Sequence, residues 1–136
     1  MSLLFPSKEW AKEFVESVNG DPGFVNNIVL NGGAILNIQS EEGLLDADFP
    51  LFLQINQGRI LDYAILSRLD EVDSTFILRA KYSVWKKVVL GELAPTVALV
   101  SKRIKVSGSL KDLLKNKKGF DAIIDQLKKM DLTFAG

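Results

Sequence analysis

Lysine, arginine, aspartate and glutamate carry nearly all the chemistry this sequence could perform: 17 cations stand against 17 carboxylates, and the 136 residues contain neither histidine nor cysteine. Those two absences exclude Ser-His-Asp and Cys-His nucleophilic sites, histidine acid/base work and zinc sites of the usual composition. The carboxylates cluster at Glu41 and Glu42, at Asp46 and Asp48, and at Asp70, Glu71 and Asp73. A catalytic pair needs a pocket that drives two pKa values apart, and a calcium loop needs a ligand rhythm with a central glycine. Neither pattern is present. Each cluster falls between apolar runs, where solvated turns are expected, so no catalytic residue and no metal site is assigned.

The cations are more concentrated. Lys102, Arg103 and Lys105 are followed by Lys111, Lys115, Lys117 and Lys118, a group that suits an anionic head-group or membrane contact and equally suits solvated helix and strand faces. Arg79 and Lys81 alternate with Leu78 and Ala80. Their shared face either closes a cavity, where one of them would hold a ligand carboxylate, or meets water. Equal totals of the two charges leave no net field toward a polyphosphate, which argues against nucleic acid. Gly32 and Gly33 belong to neither GxxxxGK[ST] nor GxGxxG, so nothing points to a nucleotide, and no cofactor is expected.

The elements that would position these groups follow from periodicity. Ser7 caps a helix whose apolar positions are Trp10, Ala11, Phe14, Val15 and Val18, stopped by Asn19-Gly20-Asp21-Pro22. Phe24, Ile28 and Val29 sit on a short helix or an extended lead-in. Four strands come next, around Ala34–Gln39, Phe49–Ile55, Ile60–Leu66 and Thr75–Tyr82. Their connections are too short for helical crossovers, which predicts an antiparallel meander with middle strands buried on both faces. Tyr82–Leu90 is helical and ends at Gly91; Pro95 opens a short helix carrying Val97, Ala98 and Val100; Ile104 and Val106 mark a fifth strand that Gly108 ends. Ser109 caps Leu110–Lys115, and Phe120, Ile123, Ile124, Leu127 and Met130 form the stripe of a last helix.

With 47% hydrophobic residues the chain is an ordinary globular protein, and residues 1–136 are expected to form a single domain that buries roughly two-thirds of its unfolded surface. The start, with Pro6, Lys8 and Glu9 interrupting a short apolar run, is not a signal peptide, and the end is not a Ser-Lys-Leu address. No stretch approaches the roughly eighteen apolar residues of a membrane span. Together with the missing cysteines, this predicts a soluble protein of the cytoplasm.

The run Thr75–Gly91, TFILRAKYSVWKKVVLG, followed by Glu92-Leu-Ala-Pro95-Thr-Val-Ala98 and then Arg103-Ile-Lys-Val-Ser-Gly108, resembles the core pattern of the sterol carrier protein 2 family. That pattern is a strand leading into a tryptophan-bearing helix with a hydrophobic pair and a glycine, a short helix, and a lysine-rich strand ending in glycine. Asn56-Gln-Gly58-Arg59-Ile60 is similar to the family's hairpin. The order of elements matches over nearly the whole chain, with residue-level likeness from about Gly58 to Leu114. One departure stands out: where the family usually has a glycine before the lysine strand, this chain has Ser101 or Lys102.

The resemblance implies an α+β fold, a five-stranded, mainly antiparallel sheet covered by helices, enclosing a hydrophobic tunnel for a fatty acyl chain, sterol or related lipid. It implies a ligand lining of Trp85, Val89 and Leu90 on the tryptophan helix, Val97 and Val100 on the short helix, and Phe120, Ile124, Leu127 and Phe134 toward the C-terminal end. The expected function is a binding or carrier protein that performs no reaction. The alternative is a noncatalytic accessory protein presenting an isoprenoid or lipid intermediate to an enzyme complex, and a third is a scaffold with a filled core. Expected partners are an apolar small molecule and a transient membrane or enzyme contact.

Overall fold

The structure, a computed structural model, describes residues 2–28 and 31–135. A short strand β1 (Leu3–Phe5) leads into α1 (Lys8–Asn19). The Ser7 hydroxyl accepts from the Trp10 N–H at 3.1 Å, satisfying one of the donors every helix start leaves free. The five apolar positions of α1 are all buried, and Trp10 stacks on Phe14 with ring centroids 5.2 Å apart. The ambiguous segment after α1 resolves into a one-turn helix α2 (Pro22–Val25), capped by Asp21; Val29 lies outside the described residues.

Strands β2 (Gly32–Gln39), β3 (Phe49–Asn56) and β4 (Arg59–Ile65) form the expected meander. Gln57 and Gly58 take φ of 50° and 76° between β3 and β4, the pair of left-handed residues that a two-residue hairpin of the right twist requires. The next strand, β5 (Phe76–Lys81), departs from expectation. It lies parallel to β2, not beside β4, giving the order β4-β3-β2-β5-β6 with β6 at Lys105–Ser107. The reason is metric. Because β4 and β5 run in the same direction, the link must cross three strand spacings, roughly 14 Å, and return along a strand, roughly 20 Å; ten extended residues reach roughly 33 Å, so residues 66–75 span that diagonal with only a 3-10 turn at Leu69–Glu71. Ile60–Leu66 is therefore an edge strand with Leu61 exposed, and only β2 is buried along nearly its whole length. The sheet is five-stranded and mostly antiparallel, as expected of the fold class.

Four helices follow: α3 (Tyr82–Val89), α4 (Pro95–Val100), α5 (Leu110–Lys115) and α6 (Lys117–Lys129). Ser109 caps α5 by accepting from the Asp112 N–H at 3.2 Å. The chain then adds a strand that periodicity did not suggest, β7 (Leu132–Phe134), which pairs in parallel with β1. One main cluster of buried side chains joins α1, α3 and α6 to the face of the sheet that carries Ala34, Leu36, Ile38, Leu51 and Leu53.

Candidate functional site

The register of β2 and β5 sets Leu36 opposite Leu78, and these two leucines floor a cavity of about 230 Å³. Trp85 of α3 forms one wall. Its indole N–H donates to the Asn37 carbonyl at 3.1 Å, which fixes the ring to the sheet. The lining is completed by Pro95, Thr96, Leu99 and Val100 of α4, by Ile104, by Leu113 and Leu114 of α5, and by Phe120, Ile123 and Ile124 of α6. The lining is apolar except for Thr96, Lys117 and Asp121. Lys117 and Asp121 neutralise each other across 2.8 Å.

The nine residues expected to line the site divide four ways. Trp85, Val100, Phe120 and Ile124 meet at the cavity. Val89 and Leu127, 5% and 2% exposed, are spent on the core: each lies one helical turn past a lining residue, Trp85 and Ile124 respectively. Leu90 and Val97, 50% and 54% exposed, face outward. Leu90 is the C-cap of α3. On α4 the cavity takes positions 95, 96, 99 and 100, so the stripe excludes Val97 while Ala98 points to the core. Phe134 is drawn onto β7, with its ring 5.8 Å from that of Phe5 and Lys86 above it.

Residues that the expected lining omitted include Leu36, Leu78, Leu99 and Ile104. The alternation in β2 and β5 carried the signal for the first two, but only their parallel pairing places them side by side. Arg79 resolves its two readings against the cavity: it alternates away from Leu78, its Nη2 donates to the Ser107 hydroxyl at 3.4 Å, and its Nε is buried without a partner. Lys81 is exposed. Arg79, Lys102 and Lys105 border a neighbouring depression of about 380 Å³ that shares Leu99 and Ile104 with the cavity.

The loop carboxylates serve local structure. Asp48 accepts from the Ser40 N–H, and Glu71 from the N–H groups of Ser67 and Arg68, each at 2.7 Å. Asp21 accepts from the Gly23 N–H and from Gln126 Nε2, both at 2.9 Å; the Gln126 bond first, then the Gly23 bond, holds its carboxyl below the usual value. Among the described residues no helix is long and apolar enough to cross a membrane, and no cluster of carboxylates has a metal-binding arrangement.

Comparison with known proteins agrees with this fold. The profile of the SCP-2 sterol transfer family matches residues 8–121. A crystal structure of sterol carrier protein 2 superposes with a TM-score of 0.79 at 16% identity, covering 91% of this chain and 97% of the other. A conserved hypothetical protein from Thermus thermophilus gives 0.78 at 15% identity, covering 98% and 94%, and the UbiJ-SCP2 ubiquinone synthesis protein gives 0.55 at 15%, covering 88% of each. No curated protein sequence matches. Of Ser101 and Lys102, the two candidates for the place of the family's usual glycine, Lys102 holds a left-handed φ of 62°. The chain belongs to the SCP-2 sterol transfer family.

Proposed function

We propose that residues 1–136 act as a single domain that binds and carries an apolar ligand, a fatty acyl chain or a sterol-like or isoprenoid lipid, without altering it. The observation that carries this reading is the cavity itself: about 230 Å³ of unfilled space between Leu36, Leu78, Trp85 and Phe120. Well-packed interiors hold few voids larger than a water molecule, and a dry cavity of about 150 Å³ already admits benzene. The third alternative, a scaffold with a filled core, is disfavoured by the same space.

Absence of chemistry is supported by the lining. Its one carboxylate and one ammonium are paired with each other, and the chain has no histidine or cysteine to add. A cysteine-free chain also suits the cytoplasm as the proposed compartment.

A displacement titration with saturated fatty acids from octanoic to hexadecanoic acid tests the reading. Each methylene moved from water into the cavity contributes about 0.8 kcal/mol. Affinity should therefore rise about four-fold per carbon until the space is full, and the ligand should raise the melting temperature. Flat affinity across the series, with no thermal shift, removes the carrier reading.

The second reading, an accessory protein that presents an isoprenoid intermediate to an enzyme complex, draws on the likeness to UbiJ-SCP2. It predicts tighter binding of a polyprenyl quinone than of any fatty acid and co-purification with a protein partner.

A further inference from the structure

The zero net charge of the chain conceals a strong separation. Residues 102–118 contain seven lysines and arginines and a single carboxylate, Asp112, leaving 10 cations against 16 carboxylates in the remainder. Positive charge is thus concentrated on the segment that holds the end of α4, β6, α5 and the start of α6. Among the described residues, Lys117 is the one cation of this group in an ion pair.

The same region exposes aliphatic side chains. Val97, Val100 and Leu114 are 54%, 79% and 58% exposed, and Val100 and Leu114 also line the cavity. On α5, Lys111, Leu114 and Lys115 share one exposed face at helical spacing, with Leu113 turned inward. Beside them the depression bordered by Arg79, Lys102 and Lys105 shares its Leu99 and Ile104 walls with the cavity.

We propose that this face, α4 through the start of α6, docks on an anionic phospholipid bilayer and turns the cavity mouth toward the membrane. The cations are placed to meet lipid phosphates, and Val100 and Leu114 to enter the acyl boundary. An acidic protein surface would also match the charge, but protein interfaces concentrate their contact in aromatic and arginine anchors. Here the exposed apolar residues are small aliphatics at the opening of a hydrocarbon-sized space. The direction of traffic through that opening rests on the carrier reading, whereas docking itself does not.

The test is co-sedimentation of the full chain with vesicles of phosphatidylcholine alone and of an equal mixture of phosphatidylcholine and phosphatidylglycerol. Binding is expected to the mixed vesicles, weakening with added sodium chloride. Lys102→Gly, which leaves a residue suited to its positive φ, and Lys111→Gln should each weaken binding about five-fold. Val100→Asp should abolish it, with the circular dichroism of each variant unchanged. Equal binding to both vesicles, binding to neither, or affinity unmoved by all three substitutions overturns the proposal. Fatty-acid displacement in vesicle-free buffer separates the two readings: vesicle binding without displacement removes the carrier and keeps the docking face, and the reverse result does the opposite.

Discussion

Glu41 reaches across the fold to Ser83, 42 residues later, accepting from its backbone N–H at 2.9 Å and its hydroxyl at 3.0 Å. Lys81, the N-cap of α3, supplies no side-chain bond, so the loop after β2 caps the helix that carries Trp85.

The first prediction concerns this cap. The Ser83 backbone bond, outweighing the cost of burial, holds the Glu41 carboxyl below its ordinary 4.5. Folding therefore favours the ionised form, and that stabilisation is complete above pH 4.5 and lost as pH falls through the lower folded value. Glu41→Ala should cost about 1 kcal/mol, or about 4 °C in melting temperature, near neutrality. The gap between variant and wild type should narrow on acidification; a gap independent of pH contradicts the assignment.

A second follows from the placement of the two tryptophans. Trp85 lines the cavity while Trp10 is buried against Phe5 and Phe14. Dodecanoic acid should change the emission of Trp10→Phe protein, whose sole tryptophan is Trp85, and leave that of Trp85→Phe protein unchanged. Trp10 Nε1 is buried without a partner, so Trp10→Phe forfeits no hydrogen bond.

The third contrasts neighbours on α6. Ile124 lines the cavity, whereas Leu127 belongs to the core. Ile124→Glu should fold and lose fatty-acid binding. Leu127→Glu buries an unpaired carboxylate and should cost several kcal/mol of stability. Urea unfolding of both, with ligand titration of whichever folds, checks the pair; normal binding by Ile124→Glu protein moves the site elsewhere.

A fourth prediction sets backbone propensity against packing. Gly119 lies buried in α6, and a Cβ there would come within 3.0 to 3.3 Å of Ile28, including its Cα. Alanine in a helix gains about 1 kcal/mol over glycine, yet displacing the Ile28 backbone should outweigh that gain. Gly119→Ala is expected to lower the urea midpoint, and a stabilised variant would show that Ile28 yields easily.

Features encoded by near neighbours in the chain are legible in the amino-acid sequence alone. The Ser7 and Ser109 caps, the α1 stripe and Pro95 at the start of α4 depend on residues three or four positions apart. What escapes is non-local. No periodicity says that β5 skips β3 and β4 to lie along β2, and so nothing in the sequence pairs Leu36 with Leu78. Phe134 continues the apolar pattern of the α6 tail, yet it is β1, at the other end of the chain, that claims it. On α4, Val97 and Leu99 are equally apolar, and only the direction of the cavity tells them apart. Glu41 has the sequence surroundings of a turn residue because its partner lies on a distant helix.

Helix α6 is moored at its C-terminal end: Gln126 binds Asp21, β7 pairs with β1, and the Ala135 N–H donates to the buried Tyr82 hydroxyl at 2.8 Å. Helix α4, by contrast, has six residues and no side-chain cap. The two helices that line the chamber are therefore unequally tethered. A guest molecule should enter by displacing α4 before α6, and amide exchange along Thr96–Val100 should outrun that of α6 in the empty protein and slow once a guest is seated.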